Sequence, residues 1–100
     1  MRVLVVGAGG VGAAVASVAR RRDFFERITF ADVDARRADR AIAPYGDQRF
    51  AAAAVDASDV TAVAELASAV RADAIVNAVD PRFNPQIFSA AFESVIAMSR

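Results

Sequence analysis

Apolar residues along this chain change their spacing repeatedly, and each change of period predicts a change of element. Val3, Leu4, Val5 and Val6 form an unbroken apolar run inside Arg2–Val6. It is too short for a helix and rich in β-branched valine, as a strand buried on both faces requires. After a glycine-rich stretch the spacing becomes helical. Val11, Ala14, Val15 and Val18 recur at i, i+3, i+4 and i+7, which places one apolar stripe on a helix starting near Gly10 and ending in Arg20, Arg21 and Arg22. Those arginines fit a solvated helix end, where the helix dipole favours positive charge.

The alternation continues. A charged connector from Asp23 to Arg27 leads into Ile28–Ala31, which reads as a second strand. Asp34 suits the N-cap of a helix from about Ala35 to Ala43, stopped by Pro44 and Gly46. Phe50 to Val55 reads as a third strand from its position and flanks, because its alanines have poor strand propensity. Ser58 or Asp59 caps a third helix whose expected apolar face is Val60, Val63, Ala64, Ala67 and Val70. Ala74–Asn77 is a fourth strand; a loop from Ala78 to Phe83 follows it. Asn84 and Pro85 then open a last helix with the stripe Phe88, Ala91, Phe92 and Val95. Strands alternating with helices predict an α/β fold, three-layered, with a parallel sheet in the order 3-2-1-4. A full doubly wound sheet has two further strands, and nothing from Ser94 to Arg100 resembles one. Residues 1–100 are therefore expected to be one domain, incomplete and part of a longer enzyme. The fourth strand, without its usual neighbour, is a sticky edge that favours self-association.

The chemistry lies in the turn after the first strand. Gly7 permits a sharp exit, Gly9 has no Cβ to hold a pyrophosphate off the backbone, and Gly12 lets the helix pack close to the strand. The helix begun by Gly10 and Val11 points unpaired amides at the phosphates. Asp32 lies 20 positions beyond Gly12, the offset of the acid that binds the adenosine ribose in Rossmann-type dinucleotide sites. A carboxylate there repels a 2′-phosphate, so NAD is expected ahead of NADP. Arg36 and Arg37 could pair with that phosphate but are expected on the exposed face of the second helix, and Asp34 is expected to act as a cap. Asp56, after the third strand, could meet the adenine edge. Asn77 and Ala78 close the fourth strand, where the crevice of this architecture opens; satisfying loop backbone is an equal reading for Asn77.

Composition narrows the function. The apolar fraction of 56% supports a core, and the formal net charge of zero leaves little for counterion-release binding to nucleic acid. No cysteine and no histidine are present, which excludes disulfides and thiolate metal sites, and every basic residue is arginine. Without His, Cys or Lys the usual groups for proton transfer or nucleophilic attack near neutral pH are missing. Tyr45, the lone phenol, sits in a turn that suits packing. The chain is thus read as a holder of a cofactor with no catalytic residue of its own. Its apolar runs are too short to span a membrane, it opens without a signal-peptide pattern, and a cytoplasmic location is expected.

Four segments together, VLVVGAGGVG, ITFADVD, VDASD and VNAVDPRFNPQIFSAAFE, resemble the N-terminal cofactor domain of saccharopine dehydrogenase-like oxidoreductases, a family that includes carboxynorspermidine- and homospermidine-forming enzymes. The resemblance implies NAD(P)-linked formation or cleavage of a C–N bond in an amino-acid-like substrate through an imine. It implies that Gly7, Gly9, Gly10, Val11 and Gly12 cradle the pyrophosphate, Asp32 the ribose, that Asp56 lies near adenine and that Asn77 to Pro81 approach the nicotinamide. Asp80–Pro81 stands where the family often has two prolines, and family members often continue into a substrate domain. Two other readings fit the glycine turn: a non-catalytic domain that senses NAD(H) or another nucleotide, and an adenylating enzyme, whose expected Asn and Gln are absent from Ala35 to Arg40 and whose lysine is absent from the chain. Replacing Gly9 with Val is expected to abolish dinucleotide binding in a titration, and unchanged binding would remove the pyrophosphate from this turn.

Overall fold

The first strand is the middle of the molecule. β1 (Arg2–Val6) has parallel neighbours on both sides, and Val3 to Val6 are each at most 3% exposed. The computed structural model describes residues 1–7, 10–23 and 25–77, with backbone alone at 10 and 11. Gly9, Ala78, the Asp80–Pro81 loop and the expected helix opened by Asn84 lie outside the described residues.

After β1 come α1 (Gly10–Ala19), β2 (Arg27–Asp32), α2 (Ala35–Ile42), a 3-10 turn (Ala43–Tyr45), β3 (Phe50–Ala54), α3 (Val60–Ala69) and β4 (Ala74–Asn77). The four strands form one parallel sheet in the order β3-β2-β1-β4, as the alternation of periods predicts. Val5 lies opposite Phe30 of β2 and Val76 of β4, and Phe30 lies opposite Ala52. On this face Val3, Val5, Ile28, Phe30 and Phe50 pack against Val15, Ala16 and Ala19 of α1 and Ala38 of α2. The other face, with Leu4, Val6, Ala31 and the adjoining Val55, is covered by α3. Helices on both faces of the sheet make three layers. Among the described residues no helix is long and apolar enough to cross a membrane.

Two helices turn differently from their expected stripes. α1 buries Gly12, Val15, Ala16 and Ala19 and leaves Ala14 and Val18 only partly buried. This corrects the expected phase by one residue, or about 100° around the axis. Ser17 is the only polar residue among Gly10–Ala19, so hydrophobicity cannot set the phase of this helix. Shape does so instead, because the smallest residues allow the closest approach to the sheet. On α3, Val63, Ala67 and Val70 pack as expected and Ala62 and Leu66 join them. Val60 is 80% exposed and Ala64 is exposed too. Side chains lean toward a helix's N-terminus, so Val60, as the first residue, overhangs the end of its helix.

Polar contacts fasten the ends away from the glycine turn. Asp73 accepts the Arg2 N–H through Oδ2 at 2.7 Å, and its own N–H donates to the Arg2 carbonyl at 2.7 Å. Arg49 pairs with Asp47 (Nη2 to Oδ2, 2.7 Å) and donates to the carbonyls of Arg20 and Arg22 at the end of α1. The Tyr45 hydroxyl donates to the Ala13 carbonyl at 3.4 Å while its ring stands edge-on to Phe50. α3 stops by bonds from Arg71 N–H to the Ser68 carbonyl (3.1 Å) and from Ala72 N–H to the Ala67 carbonyl (2.9 Å), with Arg71 in the left-handed region at φ 56°. Glycine is the usual residue at that position because it has no Cβ to clash.

Arg71→Gly is expected to relieve this strain by more than the added unfolded-state entropy costs, a net gain of about 0.5 kcal/mol. Thermal unfolding should show it as a rise of about 2–4 °C in Tm, and a fall would mean that the arginine side chain stabilises the cap. A second test concerns Asp47, whose carboxyl is held below the usual range by its hydrogen bond from the Arg49 side chain. A carboxylate stabilised only in the folded state contributes fully above its unfolded pKa and loses that contribution as pH falls through the lower folded value. Asp47→Asn should therefore cost about 1 kcal/mol at neutral pH, and denaturant unfolding should find the difference shrinking below about pH 4.

Candidate dinucleotide site

In a parallel sheet every strand ends at the same edge, so the residues that follow β1, β2 and β3 meet there. β1 gives way to Gly7, whose φ of 99° is one that L side chains rarely adopt. The turn sends the buried Gly7 N–H onto the Ala31 carbonyl at 2.7 Å. Val55 N–H reaches the Asp32 carbonyl at 2.8 Å, so the ends of the three strands are tied in sequence.

Asp32 is the last residue of β2 and only 9% exposed. Its Oδ1 accepts the Asp34 N–H at 3.0 Å, which turns the chain from the strand into α2. Asp34 in turn caps α2, its Oδ1 accepting the Arg36 N–H at 2.9 Å. The Arg36 guanidinium also reaches back to this carboxylate, and the Arg36 side-chain bond is the main reason that the Asp34 carboxyl titrates below its ordinary range. Asp34 is thus the cap that the sequence predicts.

Asp56 stands one residue beyond Val55, exposed, with Oδ1 accepting from the Ser58 hydroxyl at 2.7 Å and the Ser58 N–H at 2.9 Å. The hydroxyl bond first, then the amide, lowers its pKa, so the carboxylate is ionised at neutral pH. Of the two caps considered for α3, Asp59 takes the role, its Oδ1 accepting from Ala62 N–H at 3.0 Å.

Around these groups lies a cavity of about 350 Å³, lined by Val6, Gly7, Asp32, Val33, Arg37, Val55, Asp56 and Ala57. Its volume falls within the range of small-molecule sites. Of the residues expected to hold the cofactor, Gly7, Asp32 and Asp56 line this cavity. Gly12 is buried on α1, and Gly10 and Val11 open that helix. Asn77 ends β4 opposite Val6 and is exposed, but the cavity does not include it. Sequence reasoning missed Val33, which is 71% exposed beside the cavity; Arg36 and Arg37 are both exposed on α2 as expected, but the sequence did not separate them. The two differ: Arg36 folds back on Asp34, whereas Arg37 is among the residues lining the cavity. The readable signal was the backward lean of helical side chains, which carries a residue in the first turn over the strand that precedes the helix.

The lining suits the adenosine half of a dinucleotide. A carboxylate accepts ribose hydroxyls, a guanidinium pairs with phosphate, and Val33 and Ala57 offer apolar surface to a flat base. Among the described residues no group of three or more His, Cys, Asp or Glu could hold a metal ion. Residues 3–98 match the family model described as the saccharopine dehydrogenase NADP binding domain. That description corrects the preference for NAD drawn from Asp32. The repelling carboxylate shares its cavity with a guanidinium, so Asp32 alone does not decide the cofactor. With its parallel sheet, its strand-end cavity and a match over nearly its whole length, the chain belongs to the saccharopine dehydrogenase NADP-binding domain family.

Proposed function

We propose that this chain is the cofactor-holding module of an oxidoreductase that acts on C–N bonds of amino-acid-like substrates, with NADP as the first-choice cofactor and NAD as the second. The observation that carries the reading is the cavity in which Gly7, Asp32, Arg37 and Asp56 meet at the carboxyl ends of three parallel strands. Asp32 receives the hydroxyls of the adenosine ribose, and Asp56 sits at the adenine edge. Gly7, Gly9, Gly10, Val11 and Gly12 form the pyrophosphate turn, and Asn77 and Ala78 run beside the nicotinamide. The bound cofactor supplies hydride exchange at the nicotinamide. The protein supplies grip and orientation, because a chain without His, Cys or Lys has few groups to move a proton near neutral pH. Substrate-contacting groups then come from a further domain.

A cofactor that binds only the folded state stabilises it by about 2.7 kcal/mol at a concentration of 100 times its Kd. For a domain of this size that corresponds to a Tm higher by about 10–20 °C. NADPH is expected to produce such a shift and ATP a smaller one, with no dehydrogenase turnover by the chain alone. A larger shift with ATP would favour the nucleotide-sensing or adenylating reading, and turnover would mean that this chain carries catalytic groups after all.

A further inference from the structure

Adjacent arginines open α2, and the fold gives them different surroundings. Consecutive helical residues point about 100° apart. Arg36 closes on Asp34 with Nε 3.3 Å from Oδ1 and Nη2 3.4 Å from Oδ2, while its backbone N–H occupies the same carboxylate. Arg37 gives its backbone N–H to the Asp34 carbonyl at 3.0 Å, which holds it in the first turn of the helix. Arg37 is one of the residues that line the cavity, together with Asp32 and Val33.

We propose that Arg37 is the residue that sets the choice between a 2′-phosphorylated and an unphosphorylated adenosine ribose, by pairing with the phosphate across the cavity from Asp32. The proposal rests on the reading that this cavity holds the adenosine half of a dinucleotide. Arg36 takes no part, because Asp34 already engages its guanidinium. A guanidinium suits the role: it stays charged at all relevant pH and offers two parallel donors to phosphate oxygens.

The size of the preference follows from the neighbours. A 2′-phosphate carries about −1.5 to −2 at neutral pH, so Arg37 attracts it while Asp32, in the same cavity, repels it, and the two effects oppose each other. Selectivity for NADP(H) in the parent chain is therefore modest, about 3- to 10-fold, with the hydrogen bonds from Arg37 supplying the margin. Without Arg37 the repulsion from Asp32 stands alone, and the preference inverts.

The test is calorimetric titration of the parent chain, Arg37→Gln and Arg36→Gln with NADPH and NADH, and with the fragments 2′,5′-ADP and 5′-AMP. Both arginines are exposed on a helix, and unchanged thermal unfolding of each variant checks that the fold is intact. In Arg37→Gln, NADPH and 2′,5′-ADP should weaken by about 10- to 100-fold, a range typical of losing a charge-assisted pair. NADH and 5′-AMP should change by less than about 3-fold, and Arg36→Gln should leave all four near the parent values. Higher salt should weaken 2′,5′-ADP more than 5′-AMP in the parent and lose that difference in Arg37→Gln. An unchanged NADPH-to-NADH ratio in Arg37→Gln, or a loss of NADPH binding in Arg36→Gln instead, overturns the proposal and leaves dinucleotide binding standing. A parent chain that binds neither dinucleotide overturns the cofactor reading, and this proposal with it.

Discussion

Burial of β1 on both faces, between two parallel neighbours, is the constraint on which the rest of the structure depends. It demands a short apolar run, Val3 to Val6, because a polar side chain buried there would lose water without gaining a partner. It also demands helices above and below, which α1 and α2 provide on one face and α3 on the other. Because the pairing is parallel, each chain crossing returns to the same starting edge, so all polar strand-end residues accumulate at the opposite edge. The cavity is a consequence of that direction rather than of any single residue.

Gly7 is where this constraint meets chemistry. A chain leaving a buried strand must turn at once, and the positive φ at Gly7 lets it do so while its N–H reaches the Ala31 carbonyl. That bond and the one from Val55 to the Asp32 carbonyl hold the three strand ends level, so Asp32 and Asp56 flank one cavity on backbone that is itself pinned. Charges there are divided by local geometry. Asp34 takes Arg36, Ser58 satisfies Asp56, and Arg37 is among the residues lining the cavity with Asp32. At the other edge, Arg2 with Asp73 and Arg49 with Asp47 fasten helix ends and loops to the sheet.

Local patterns in the chain were enough to foresee the four strands, the Asp34 cap and the strand order. A valine run, an Asp before a helix and a switch from one period to another each reflect forces acting within a few residues. The bounds of β1 and β4 agree with that reading, while β2 runs one residue further at each end and β3 stops one residue sooner. The positions of Gly7, Asp32 and Asp56 at strand ends were legible for the same reason, since turn chemistry and strand ends are local features. The rotation of α1 was not. In a helix with one polar residue, side-chain polarity carries no direction, and only contact with the sheet selects which small residues face it.

What the sequence determined alone is the α/β alternation, the glycine turn and the acid at the end of the second strand, because each rests on backbone preferences or on short-range spacing. The tertiary structure decided which helix faces are buried, which of two adjacent arginines lines the cavity and which acidic residues share it. Those outcomes depend on distances between segments far apart in the chain. Arg36 and Arg37 are equal as letters, and only the carboxylate beside one and the strand ends beside the other make them different.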